Sequence, residues 1–315
     1  EEARKALGRN PRTVGELRSV TKKKGWVSNE LGRSRLEKRD LDGAEIAFAD
    51  AISSFKEVSD HTNIILINCN LGHGRRALAE EMVSKIETFK KLAVFHNAYK
   101  QALETAKLEY SKALMYYGAA KLEVNASAED ADYASSSLKD EVYAQFAHTY
   151  LKLGMLLARE DTVAEVYENG VLEDNAGPAV TRPEKEYRKH EISANDAIRR
   201  ALSVYESLGE LRKQEAAYSY FQLACYQRDR CLNFLESDMK KNNMSRGENQ
   251  RVKQYASLAD RNWQKSMDFY GPETHPWMYL NIIMERSALS LSLSCSLHSN
   301  MVCFQIFTTC PVMLL

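Results

Sequence analysis

Residues 63–77 hold the side chains whose types and spacing come closest to chemistry. Asn63-Ile64-Ile65-Leu66-Ile67 is an apolar run, and Gly72-His73-Gly74-Arg75-Arg76-Ala77 follows it, with Glu87 further on. A strand, a Gly-x-Gly-x-x-Ala loop and a helix in that order could cradle a pyrophosphate, because glycines let backbone N–H groups approach an anion at a helix N-terminus. Against this, Asn68, Cys69 and Asn70 separate the run from the glycines, and no second strand follows. Gly72 also fits another role, as the small residue where two helices cross. A nucleotide-dependent enzyme at the Gly72–Gly74 loop is an alternative reading.

Other chemistry is sparse. The seven histidines, at 61, 73, 96, 148, 190, 275 and 298, form no His-Glu-x-x-His pair. Paired carboxylates such as Glu80-Glu81 and Glu129-Asp130 sit in polar faces and read as solvated surface. Six cysteines in 315 residues make no disulfide framework. Cys69, Cys225 and Cys231 fall within helical patterns as small apolar residues, without a Cys-x-x-Cys partner for zinc, and point to a reduced compartment. No catalytic residue, metal site or cofactor is expected. Residues 1–24 are basic and broken by Gly8, Pro11 and Gly15, and read as a flexible segment. Arg4, Lys5, Arg9, Arg12, Arg18 and Lys22-Lys23-Lys24, with Arg33, Arg35, Lys38 and Arg39 beyond, could hold phosphates. That makes a nucleic-acid-binding module the main alternative, although Trp26 is the lone aromatic among them.

The elements that must position these residues are helices. Lys plus Arg and Asp plus Glu number 43 each, so the chain has no global pull toward nucleic acid or anionic lipid. Only 14 glycines and six prolines punctuate it. Helical periodicity starts at Trp26, with Leu31, Leu36 and Leu41 leading into a stripe of Ile46, Ala49, Ile52 and Phe55. Asp42-Gly43 is the expected turn, and Ser59-Asp60 starts the next helix, into the late 80s. Further helices are expected at about 91–123, 138–159, 184–207, 211–236 and 249–270, with Pro276 opening the last. Residues 124–136 read as a loop and 161–183 as an inserted one; no strand is expected. From Ser287 onward there is no Lys, Arg, Asp or Glu. Residues 292–315 read as a foreign, spliced-like end outside the fold; a membrane span is disfavoured, because the apolar run from Met301 is short and interrupted by polar residues and Pro311. The chain opens on Glu1 and is expected to be an internal piece of something longer.

One spacing recurs along these helices. Gly32, beside Leu31, is followed by Ala44, Phe48 and Ala51. The small–aromatic–small triplet returns as Ala106, Tyr110, Ala113 and as Ala259, Trp263, Ser266, with a weaker copy at Ala194, Ile198, Ala201. Small residues allow close backbone approach within a helix hairpin, and the aromatic is expected to fill the wedge between neighbouring hairpins. First helices open at Leu31-Gly32, at Leu71-Gly72 with Ala79, at Ala147-Tyr150-Gly154, at Ala217-Tyr220-Ala224 and at Trp277. These residues resemble the tetratricopeptide repeat. Openings some 40 to 75 residues apart depart from that family's period of about 34, so elongated helices and insertions are implied. The expected fold is an all-α, tetratricopeptide-like α-solenoid of antiparallel helix hairpins over 25–291.

Gly25-Trp26-Val27-Ser28-Asn29-Glu30-Leu31-Gly32, and the run from Asn63 to Lys85 around Ile-Leu-Ile-Asn-Cys-Asn-Leu-Gly-His-Gly-Arg-Arg, also resemble the plant form of the erythroid differentiation-related factor 1 family. The resemblance covers about 20–290. It implies a C-terminal part of a large helical protein in nuclear, transcription-linked regulation, with a cytosolic setting as the alternative; it carries no residue roles. The function expected is a non-catalytic protein–protein interaction scaffold for a protein or peptide partner. If a groove follows the repeat family's geometry, Asn29, Arg33, His73, Arg76, His148, Lys152, Gln214 and Tyr218 line it.

Overall fold

The computed structural model describes residues 14–90, 96–127, 134–168, 192–241 and 246–297. All the regular structure among them is helical. In chain order the helices are α1 (Val14–Glu37), α2 (Leu41–Glu57), α3 (His61–Lys90), α4 (His96–Ser127), α5 (Ala134–Glu168), α6 (Ala194–Ser207), α7 (Lys213–Lys241), α8 (Arg246–Met267) and α9 (Pro276–Leu297). A 3-10 turn, Gly209–Arg212, joins α6 to α7. The chain forms two compact units, Glu1–Tyr150 and Leu151–Leu315, and the division falls inside α5.

In the first unit α1 pairs with α2 and α3 with α4, each pair antiparallel. Arg18 reaches the Val58 carbonyl while Arg35 reaches that of Gly43, so the chains of α1 and α2 run in opposite senses. The core is Ala44, Phe48, Ala51 and Phe55 of α2 with Ile64, Ile67 and Leu71 of α3. A second cluster joins Ile65 of α3, Ala120 and Val124 of α4, and Val142 of α5. Each fully buried Phe or Ile here contributes roughly 1.5–3 kcal/mol. In the second unit α7 and α8 form the antiparallel pair. Ala217, Phe221, Ala224 and Cys231 pack with Val252, Ala259 and Trp263, and with Ile282, Leu289 and Leu293 of α9.

The small–aromatic–small triplets are buried throughout, and so is the weaker copy. Phe48 lies in the cluster shared with Ile64, Ile67 and Leu71 of the next hairpin, as expected of a wedge, and it also makes a joint inside its own hairpin. A Cβ on Gly32 would lie 2.7 Å from the Phe48 ring, so the aromatic lies on the glycine within its own hairpin. Gly72 meets the Tyr117 ring in the same way, at 2.8 Å, two turns beyond Tyr110. Leu31 is not a packing residue: it is 49% exposed, one step round the helix from Gly32. Ile46 and Ala49 also face solvent, and the buried face of α2 is Ala44, Ala47, Phe48, Ala51 and Phe55.

Several boundaries move. Helix α1 begins at Val14, so residues 14–24 are not a flexible segment; Thr21 is buried and Lys22 pairs with Asp60 at 2.8 Å. The first turn lies at Lys38–Asp40, because the Asp40 carboxylate caps α2 by accepting from the Gly43 N–H at 3.0 Å. The inserted loop expected at 161–183 is helical as far as Glu168, and the rest of it lies outside the described residues. The expected loop at 124–136 is helical up to Ser127 and from Ala134. Residues 292–297 belong to α9, and Leu293 is part of the core, so the fold does not stop at Leu291. The segment 298–315 lies outside the described residues.

Candidate functional site

The 63–77 segment is the middle of one helix. Residues 61–90 form α3 without a break, so the apolar run is no strand and Gly72 and Gly74 are no loop. A phosphate cradle needs free N–H groups at a helix N-terminus. Those of Gly72 and Gly74 lie inside a helical ladder instead, and Gly72 is occupied by the Tyr117 ring.

Two adjacent arginines on α3 have separate roles. Arg75 follows Leu71 by four residues and precedes Ala79 by four, which puts it on the buried face. Its side chain is 4% exposed and reaches three carboxylates. Nε donates to Glu45 of α2 at 2.8 Å, Nη2 to Asp42 of α2 at 3.0 Å, and Nη1 to Glu109 of α4 at 3.2 Å. Lys112 holds the other Glu109 oxygen at 3.0 Å. Burial alone would disfavour the guanidinium charge. The hydrogen bonds to Glu45 and Asp42, together with the nearby charges of Glu109 and Glu45, outweigh it and raise the pKa above its ordinary value. Burial, together with a hydrogen bond to Glu45, also pushes the Tyr116 hydroxyl up. Arg75 is thus a clamp across α2, α3 and α4.

Arg76 lies one step round the helix and meets His73. The Tyr117 hydroxyl lies 2.8 Å and Arg76 Nη2 3.1 Å from the same ring nitrogen, His73 Nδ1. A guanidinium can only donate, so Nδ1 accepts and the ring is the neutral tautomer with its proton on Nε2. Burial, then the neighbouring Arg76 charge, lowers the His73 pKa and favours that neutral form. The guanidinium also lies 5.7 Å over the Tyr117 ring. Its Nη1 donates to Gln145 Oε1 of α5 at 2.6 Å, and Gln145 in turn donates to Glu141 at 2.6 Å. His73, Arg76, Tyr117 and Gln145 therefore form one polar network at the surface of α3, α4 and α5.

The other groove candidates are Asn29, Arg33, His148, Lys152, Gln214 and Tyr218. Arg33 is exposed and bonds Glu30 at 3.1 Å on its own helix. Asn29 is half-buried, with an enclosed Oδ1 that accepts no hydrogen bond. His148 is half-buried on α5. Lys152, Gln214 and Tyr218 belong to the second unit. Gln214 is exposed and its backbone carbonyl accepts from the Tyr270 hydroxyl at 3.2 Å. Tyr218 packs at the edge of the second unit's core, 6.2 Å from the Phe221 ring centre.

In that unit a cleft of about 210 Å³ has Met155, Ala158, Ile198 and Cys225 among its walls, with Arg159, Gln222, Tyr226, Arg228 and Asp229 completing it. Arg228 is engaged by Asp229 at 2.6 Å and by Glu285. Burial pushes the Cys225 thiol up to about 12 and the Cys69 and Cys231 thiols up to about 11, so all three are poor nucleophiles at neutral pH. Among the described residues, no three His, Cys, Asp or Glu side chains are grouped to hold a metal ion. The basic residues of α1 that are described have internal partners in part: Arg18 holds the Val58 carbonyl, Lys22 holds Asp60 and Arg35 holds the Gly43 carbonyl. Arg4, Lys5, Arg9 and Arg12 lie outside the described residues.

Compared with models of protein families, with curated proteins and with solved structures, the chain matches none of them.

Proposed function

We propose that this chain is a non-catalytic scaffold that binds another protein, built as a tetratricopeptide-like array of helix hairpins. One observation carries the reading: the same joint, a first-helix glycine under a second-helix aromatic ring, recurs as Gly32 on Phe48 and Gly72 on Tyr117. Two hairpins built on one joint are the unit of a repeat array, and such arrays serve as extended binding surfaces. The inert thiols and the capture of Arg75 and Arg228 by carboxylates agree with a surface that holds rather than reacts. A setting in nuclear, transcription-linked regulation follows from the family resemblance.

The test is an affinity purification with wild-type chain, Arg33→Glu and Arg76→Glu, each checked for an unchanged melting temperature. If the groove candidates contact the partner, charge reversal lowers its recovery by about 5-fold or more, the effect of losing an interface residue worth 1 kcal/mol or above. Unchanged recovery for both variants removes these two residues from the interface. Loss of all partners from the wild type as well removes the scaffold reading.

A further inference from the structure

Helix α9 is apolar on two opposite sides. Ile282, Leu289 and Leu293 pack into the core formed with α7 and α8. Opposite them Trp277, Leu280, Met284 and Leu291 are 79, 55, 70 and 64% exposed, and Ala288 lies exposed among them. At 3.6 residues per turn these five fall within a stripe about 80° wide. An apolar stripe along a helix is normally covered, and only one of these two is. The helix carries two charged residues, Glu285 and Arg286, and both turn inward: Glu285 accepts from Arg228, and Arg286 donates to Asp260 at 2.9 Å. The bare stripe therefore has no charge of its own. Lipid is a poor match for it. Among the described residues no helix is long and apolar enough to cross a membrane, and helices that lie on one carry Lys and Arg beside the apolar face.

We propose that this face pairs with the same face of a second copy of the chain, α9 against α9, antiparallel about a two-fold axis through Met284. The spacing is self-complementary. In an antiparallel pair, positions whose numbers have a common sum lie opposite each other. Trp277 then meets Leu291, Leu280 meets Ala288, and Met284 meets its own copy. Large side chains face smaller ones at the first two levels, and the flexible methionines meet at the centre. A second copy brings no charge to a face that offers none, whereas a charged partner would be desolvated there without compensation. Five side chains per copy make a seam near the low end of specific interfaces, about 1,200 Å² in total, so the dimer is weak and forms at micromolar concentrations.

Sedimentation velocity of the 315-residue chain from about 1 to 100 µM reads this out. The wild type shifts from monomer to dimer across that range. Met284→Glu and Met284→Lys each give a monomer with an unchanged circular dichroism spectrum, because the position is exposed and like charges meet on the axis. An equimolar mixture of the two restores the dimer, which requires residue 284 to face residue 284. A wild type monomeric throughout, a Met284→Glu variant that dimerises like the wild type, or a mixture that stays monomeric overturns the proposal. A monomeric wild type whose Trp277 emission shifts when residues 298–315 are removed assigns the face to that segment instead.

Discussion

Arg75 and Glu109 meet at 3.2 Å between α3 and α4, with 4% and 6% of their side chains exposed. The pair closes a contact that starts on α2, where Asp42 and Glu45 hold the remaining guanidinium nitrogens. The four residues are unequal. Asp42 is almost fully exposed and its bond contributes little, whereas Glu109 has no access to water that could replace Arg75.

Arg75→Leu therefore leaves a buried carboxylate with only Lys112 beside it. The expected cost is about 3–5 kcal/mol, the range for breaking a buried ion pair. Asp42→Asn is expected to cost under about 1 kcal/mol. Urea melts of the two variants measure the contrast; equal effects would show that burial is not what makes the clamp strong.

Two glycines of the α3–α4 hairpin make opposite predictions. A Cβ on Gly72 would lie 2.8 Å from the Tyr117 ring, and that ring is fixed by its bond to His73. Gly72→Ala is expected to cost about 1–3 kcal/mol from overpacking, less the helix propensity that alanine gains. A Cβ on Gly118 would make an ordinary contact 3.9 Å from Phe146. Gly118→Ala is expected to stabilise by about 0.5–1 kcal/mol. Thermal melts of both decide it, and a stabilising Gly72→Ala would remove the glycine-on-aromatic joint as a packing constraint.

The pH dependence turns on His73. Its folded pKa lies below the ordinary value of 6.5, so the folded state binds its proton less well than the unfolded chain does. The stability this contributes is complete above about 6.5 and is lost as the pH falls through the lower folded value. His73→Gln is expected to flatten the stability curve over that interval while changing it little above pH 7. Nitrogen chemical shifts of the imidazole provide a direct check: Nδ1 unprotonated, Nε2 protonated. A protonated Nδ1 at neutral pH contradicts the shared acceptor for Tyr117 and Arg76.

The sequence made the buried triplets legible because alanine and aromatic residues at helical spacing have few uses other than packing. It made Arg76 visible and Arg75 invisible for the same reason, since a charged side chain reads as solvated whichever face it occupies. Leu71, Arg75 and Ala79 at steps of four were the available signal for Arg75. The start of α1 was hidden likewise: Arg18 and Lys22 find their partners at Val58 and Asp60, some 40 positions away. Tyr117 was missed because which aromatic meets Gly72 depends on the register of the two helices, and the hairpin's length sets that register rather than the triplet.

Leu293 tests where the fold ends. A sequence without charge after Ser287 reads as foreign to the array, yet Leu293 is 7% exposed and joins the cluster of Trp263, Tyr270 and Ile282. A residue outside the fold tolerates any substitution, whereas a core leucine does not. Leu293→Ala is expected to cost about 2–4 kcal/mol, from lost transfer energy and the cavity left between α9 and its neighbours. Leu291→Ala, two residues earlier on the exposed face, is expected to change the stability of the monomer, measured at about 1 µM or below, by less than about 0.5 kcal/mol. Chemical denaturation of the two variants in parallel separates the outcomes. Equal, small effects would return residues 292–297 to the status the sequence suggests, while a large loss confined to Leu293→Ala fixes the last turn of α9 as part of the second unit.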